Sequence, residues 1–212
     1  MLTHEQFMRA VAEVPCAGGQ RHGVILHALV RWLRPKVVVE VGSFMGHSAC
    51  WLARALQENA AGLPTEEPGE LYCIDDWSLS MGMDTRFLLG VHLGRCQVND
   101  RVTLLDGKSD KVGWPYPIDL AFIDGDHSFD GCKGDVERAM EGGAECIVVH
   151  DVADWWGPRR WLAEFERSAE YRTLSVGFDG GLAVAMRCPV LPEERFTQRE
   201  YPAGQVAEAV RG

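Results

Sequence analysis

No stretch of this 212-residue chain approaches the ~18 consecutive apolar residues that a membrane-spanning helix requires, so a membrane partner is not expected. The opening MLTHEQFMRAVAEVP is interrupted by His4, Glu5, Arg9 and Glu13 and lacks the apolar core of a secretory signal, which makes a cytoplasmic location the expectation. Basic charge is scarce. Twenty-one Lys and Arg face 31 Asp and Glu, and the net charge of −10 repels a phosphate backbone, so nucleic acid is excluded as a partner. The seven cysteines never form a C-x-x-C pair, which excludes the short-spaced zinc and redox motifs and leaves mostly buried thiols as the default. Low-complexity segments and repeats are absent too, which excludes solenoids and propellers. What is present, 46% hydrophobic and 25% charged residues, is the composition of a globular chain.

Hydrophobic periodicity organises that chain. Residues 3–14 and 21–34 carry apolar positions at helical spacing, each run ended by a proline. The period then changes to the unbroken β-branched run KVVVEV at 36–41, the pattern of a parallel strand covered on both faces. Helices are predicted over 49–59, 84–96, 131–141 and 159–169. Strands are predicted at LYCID, RVTLLDG, IDLAFID and CIVVHDV, and two last ones at 173–176 and 182–187. Such alternation implies right-handed crossovers and a Rossmann-like, doubly wound α/β fold with helices on both faces. The last two strands are joined by GFDGG, a link suited to a hairpin, so one strand near the C-terminus should run antiparallel in a mostly parallel seven-stranded sheet. The expected organisation is N-terminal helices over 1–35 covering the sheet and substrate side, a core over 36–188, and a tail over 189–212. The proline-bearing tail is expected to wrap the surface or reach a neighbouring subunit of a homo-oligomer.

Chemistry concentrates where strands end. V-V-E-V-G-S-F-M-G-H-S at 38–48 is a strand, a glycine turn and a helix start, an arrangement that brings backbone N–H groups close to a ligand. Phe44 occupies the second glycine position of a dinucleotide fingerprint, which disfavours nicotinamide-dependent oxidoreduction. The second strand ends in Asp75-Asp76-Trp77, where a carboxylate is placed to accept from a ribose diol and an aromatic to lie on adenine. Turn and acid together point to an adenosine ligand.

These segments resemble the class I S-adenosylmethionine-dependent methyltransferases, over residues 37–187. E-V-G-S-F-M-G-H-S is similar to that family's first motif, VTLLDGKSD to its third-strand segment, and FIDGDHSF at 122–129 to the F-I-D-G-D-H-x-Y signature of its small-molecule O-methyltransferases acting on natural products, sugars and catechol-type acceptors. The resemblance implies donor contacts from Glu40, Gly42, Ser43, Gly46, Ser48, Asp75, Trp77, Lys108, Ser109 and Asp124. It also implies a divalent cation, Mg2+ foremost, on Asp124 and Asp151 at the ends of the fourth and fifth strands. Neighbouring strand ends about 4.8 Å apart would let two carboxylates share one hard ion. Catechol-type members carry Asp-Asn after the fifth strand, whereas this chain has Asp151-Val152, so His150 or water would complete the ligand set. Two strand-end acids facing only donor and solvent are the alternative.

For the proton acceptor, His127 comes first and Asp126 is the rival. Trp155 and Trp156 are candidates for the acceptor pocket or for an interface. The activity implied is methyl transfer to an oxygen of a small hydroxylated molecule. The alternatives are a metal-independent methyltransferase, or a non-catalytic donor-binding module on the same fold. His22 and His47 receive no assignment.

Overall fold

Strands whose residues are mostly apolar on both faces are driven to the middle of a sheet, since only there are both faces covered. In the computed structural model, which describes residues 1–16, 21–62 and 68–188, β1 (Val37–Val41), β4 (Leu120–Ile123) and β5 (Cys146–His150) take those positions. β2 (Glu70–Asp75) and β3 (Val102–Asp106) extend the sheet on one side, and β7 (Leu182–Arg187) and β6 (Tyr171–Val176) on the other. The order is β3-β2-β1-β4-β5-β7-β6. β7 pairs antiparallel with both its neighbours, and the other pairings are parallel, as the GFDGG hairpin predicts.

The chain leaves β1 toward β2 and β3, then crosses to β4 and β5 on the opposite side. That reversal opens a crevice at the carboxyl ends of β1 and β4, where ligands of such sheets bind. Register brings the chemistry level there. Val41 pairs with both Ile74 and Ile123, and Ile123 with Val149, so the residues that follow, Gly42, Asp75, Asp124 and His150, arrive at one rim.

Helices α1 (His4–Ala12), α2 (His22–Leu33), α3 (His47–Gly62) and α4 (Thr85–Cys96) cover one face around Phe7, Val30, Leu52, Leu89, Phe122 and Val148. The other face is closed by α5 (Phe129–Glu141) and α6 (Trp156–Phe165) around Ile123, Val136, Ile147 and Trp161. α1 is started by a Thr3–Gln6 capping box, and α5 by Ser128, whose hydroxyl accepts from Gly131 N–H. Of the boundaries that differ from expectation, two have clear local reasons. α3 begins at His47 and not 49, directly after Gly46 at φ +86. α6 begins at Trp156 and not 159, since Pro158 falls in the first turn, where its missing N–H costs nothing. The tail from 189 and all of residues 17–20, the middle of the Cys16–Arg21 loop, lie outside the described residues. Among the described residues no helix is long and apolar enough to cross a membrane.

One side chain fixes the entry to the central strand. Asp119, just before β4, accepts from Lys36 N–H at 2.7 Å and Val37 N–H at 2.9 Å, tying the starts of β1 and β4 together. Replacing it by Ala strands both donors, and Asp119→Ala is expected to lose about 2 kcal/mol. Urea denaturation should show a lower midpoint with an unchanged slope.

Candidate functional site at the carboxyl edge of the sheet

β1 must turn sharply because β4 ends beside it. Gly42 sits at φ +85, and a Cβ built on it would lie 2.2 Å from the Asp124 carbonyl oxygen. Glycine is therefore required there twice over, by conformation and by contact. Behind the turn, Glu40 is fully buried. One of its carboxylate oxygens accepts from Ser43 Oγ at 2.7 Å and Cys73 Sγ at 3.2 Å, while Oε1 has no partner among the described residues. Burial pushes Glu40 up to about 7, against the opposing influence of the neighbouring Ser48, Ser43 and Cys73. An acid so placed can still accept one hydrogen bond at Oε1.

Asp75 closes the turn from the next strand, accepting from Phe44 N–H at 2.8 Å and Trp77 N–H at 2.7 Å. Between these tips lies a cleft of about 770 Å³, within the range of small-molecule sites. Gly42, Asp75, Gly107, Lys108, Ser109, Asp124, Asp126 and His127 all contribute to its wall. Trp77 does not. Its indole N–H donates to Asp106 at 2.9 Å and the ring packs partly against the apolar core, so Asp76, Ser78 and Leu79 form the wall where an aromatic platform was expected. Glu40, Ser43, Gly46 and Ser48 sit behind the wall.

At the ends of β4 and β5 two carboxylates meet two imidazoles. His127 Nε2 lies 2.8 Å from Asp151 Oδ2 and 3.7 Å from Asp124 Oδ1. His150 Nδ1 lies 3.1 Å from Asp124 Oδ1 and 3.2 Å from Asp151 Oδ1. Ligand atoms of Asp124, His127 and Asp151 fall within 4.8 Å of one another, a group able to hold a metal ion. The structure thus places His127 with the two acids where His150 was the expected third ligand. His150 instead reaches both acids from behind, with its Nε2 buried and unpartnered among the described residues. The carboxylates of Asp124 and Asp151 push His127 up to about 9. Burial would lower His150, yet the same two carboxylates raise it to about 10. Burial would likewise raise Asp151, and the two imidazoles outweigh it, holding its carboxyl well below the usual range.

Asp126 is engaged locally. Its carboxylate accepts from Ser128 N–H at 2.8 Å in an Asx-turn that feeds α5, and it packs on Gly131. Of the two tryptophans, Trp155 stacks on the His127 ring at 4.8 Å, and Trp156 is 65% exposed beside Arg160 and Phe129. Neither lines the cleft. Asp135 does, unforeseen from sequence. It is buried on α5 and pushed up to about 6 by that burial. The available signal was an acid set among Cys132, Val136 and Ala139 on the helix's buried stripe.

A family model described as a methyltransferase domain matches residues 39–152. Among solved structures, the chain is similar to an O-methyltransferase from Bacillus cereus in complex with SAH, at 18% identity over 89% of this chain and 93% of that one, with a TM-score of 0.66. It is similar also to the O-methyltransferase TomG from Streptomyces achromogenes, involved in tomaymycin synthesis and solved with SAM, at 20% identity over 89% and 92%, with a TM-score of 0.65. The SAH-bound methyltransferase PaMTH1 of Podospora anserina shares 16% identity over 87% of each chain, with a TM-score of 0.64. At these identities the likeness establishes the fold.

The acid–imidazole cluster makes stability depend on pH in a definite direction. His127 and His150 rise from 6.5 to about 9 and about 10 on folding, so their contribution is complete below 6.5 and is lost as pH climbs through 9 to 10. Asp151 is depressed from 3.8, so its share is present above that value and is lost as pH falls through its folded value. In the presence of a chelator the melting temperature should therefore peak between the two windows and decline above neutrality, and His127→Gln should flatten the alkaline decline. A midpoint rising from pH 7 to 10 would contradict this charge arrangement.

Proposed function

The chain belongs to the methyltransferase domain family, and on that premise we propose that it transfers a methyl group from S-adenosylmethionine to an oxygen of a small hydroxylated molecule, with a divalent cation at Asp124 and Asp151. The observation that carries this reading is the Asp124–His127–Asp151 group, set at one end of the cleft whose other walls are Gly42, Asp75 and Lys108. Two proteins of the same fold that carry SAM or SAH are named O-methyltransferases, which supports oxygen as the acceptor atom.

The residues fit the donor. Its ammonium group matches the buried, unpartnered Glu40 Oε1, and its ribose the remaining lone pairs of Asp75. Gly42 and Gly107 keep side chains out of the space between. The residues fit a hard cation as well, through carboxylate oxygens on adjacent strands. When bound, the donor supplies an electrophilic sulfonium methyl and the cation a Lewis acid that acidifies the acceptor hydroxyl.

The chain's own residues do the rest. His127 takes the hydroxyl proton on Nδ1, the ring nitrogen that Asp151 does not hold, as the O–CH3 bond forms and the S–CH3 bond breaks, leaving a neutral thioether. Asp151 orients that ring at 2.8 Å, and Trp155 stacks on its face. The basicity of His127 is set by the two carboxylates, so positive charge shared with them lowers it toward the working range from about 9. Asp126, fixed in its turn, shapes the wall.

A second reading, transfer without a cation, is favoured by one observation. His150 Nδ1 lies within 3.2 Å of both acids, so imidazolium charge balances them unaided.

Labelled methyl transfer to a panel of hydroxylated metabolites tests the proposal. Product formation should vanish with a chelator and return with Mg2+, whereas turnover indifferent to chelation selects the second reading. His127→Ala should lower kcat by about 10²–10⁴-fold, with S-adenosylhomocysteine affinity nearly unchanged. Glu40 binds an ammonium as its carboxylate, which forms as pH rises through about 7. Calorimetry should accordingly show S-adenosylhomocysteine affinity rising from pH 6 to 8 and levelling off. Glu40→Gln should remove that rise and weaken binding about 10- to 100-fold.

A further inference from the structure

On the α2–α3 side of the rim lies a second constellation that methyl transfer does not use. His22 opens α2 and His47 opens α3, 2% and 4% exposed. Their rings stand 5.3 Å apart, and the His22 ring is 4.7 Å from that of His150. One ring nitrogen from each of His22 and His47 and the Cys16 sulfur fall within 4.8 Å of one another. Three imidazole nitrogens here, His22 Nδ1, His47 Nδ1 and His150 Nε2, are buried without a partner among the described residues. A buried imidazole nitrogen left without a partner loses its hydration with nothing in return, and three in one place is costly unless something binds them.

We propose that Cys16, His22 and His47 form a binding site for a divalent transition cation of the zinc class. A thiolate with two neutral imidazoles suits a borderline-soft ion and rejects Mg2+, which asks for oxygen. Both imidazoles are in the ligating form. Burial lowers His22, and burial with the neighbouring His22 lowers His47 to about 4, so neither carries a proton to displace at neutral pH. Asp179 in the β6–β7 hairpin acts on both histidines electrostatically and accepts from Arg21 N–H, which places an anion beside the cation. With three protein ligands, the fourth tetrahedral position is left to water or to an incoming group. The ion would pin the chain just before α2 to the first turn of α3, against the glycine turn that follows β1. This site stands independently of the methyl-transfer reading, since it needs neither donor nor acceptor.

Cobalt(II) substitution in the full-length protein tests it, because a thiolate ligand gives a sulfur-to-cobalt charge-transfer band that the sulfur-free Asp124–His127–Asp151 group cannot produce. One equivalent of Co2+ should develop that band with the visible absorption of a tetrahedral centre. Zn2+ should displace it and Mg2+ should not. Cys16→Ser should abolish the band, His47→Ala should weaken Co2+ binding at least about tenfold, and Asp151→Asn should leave the band intact. A thermal shift on adding Zn2+, measured with Mg2+ in excess, should appear in the wild type and be lost in Cys16→Ser. Absence of the band in the wild type, its persistence in Cys16→Ser, or its loss in Asp151→Asn would each overturn the proposal. The wild-type measurement decides even if a variant fails to fold.

Discussion

Two carboxylates on adjacent parallel strands cannot stand uncompensated, and the rim of this sheet is organised around that fact. Asp124 and Asp151 follow strands whose register is fixed by the Ile123–Val149 pairing, so their proximity is a consequence of fold and needs no further device. Like charges that close repel strongly in a partly desolvated setting. The chain answers with His127 on the loop into α5 and His150 at the end of β5, each within 3.7 Å of both acids. Asp151 takes a left-handed backbone, φ +60, to present its carboxylate there. A group of this kind holds its imidazoles charged when alone, and releases basicity when other positive charge arrives. Chemistry that moves one proton off a hydroxyl uses that property directly.

Behind the opposite wall of the cleft the same logic holds with one acid. Glu40 is at 0% exposure with a single oxygen satisfied, and burial raises its proton affinity. Gly42 has no side chain because the Asp124 backbone passes over it. The two ends are therefore mechanically joined, since the carbonyl that demands a glycine in the turn belongs to the residue whose carboxylate sits in the charged cluster. Substitution at Gly42 reaches both ends at once.

Much of this was legible in the sequence because it is periodic or local. The unbroken β-branched run KVVVEV marked β1 as a strand covered on both faces, and GFDGG marked the reversed strand. Glu40, Gly42 and Asp75 sit on short motifs whose spacing carries their position. The rest depends on packing between distant segments. Nothing in the order of residues shows that the Trp77 indole turns to Asp106 and away from the cleft, or that His127 and not His150 joins the two acids on the cleft side. Asp126 illustrates the competition: an Asx-turn is worth little on paper, yet it settles where that carboxylate goes. Cys16, His22 and His47 lack close spacing altogether, so a search for C-x-x-C pairs passes over them.

His150 connects these parts. Its Nδ1 faces the carboxylates, its Nε2 is buried and the His22 ring stands 4.7 Å from its own, so one buried imidazole borders both the oxygen-rich group and the nitrogen–sulfur group. Tautomer links the two sides. With the proton on Nδ1 the ring donates to Asp124 and offers a lone pair to the His22 chamber; with both nitrogens protonated it balances the acids and repels any cation beyond. The donor types are sorted as well, hard oxygens on the cleft side and softer imidazole and thiol on the α2–α3 side, so two cations of different class would not compete for one place. What separates them is a single strand end, and the charge state of His150 is where the demands of the two sides are reconciled.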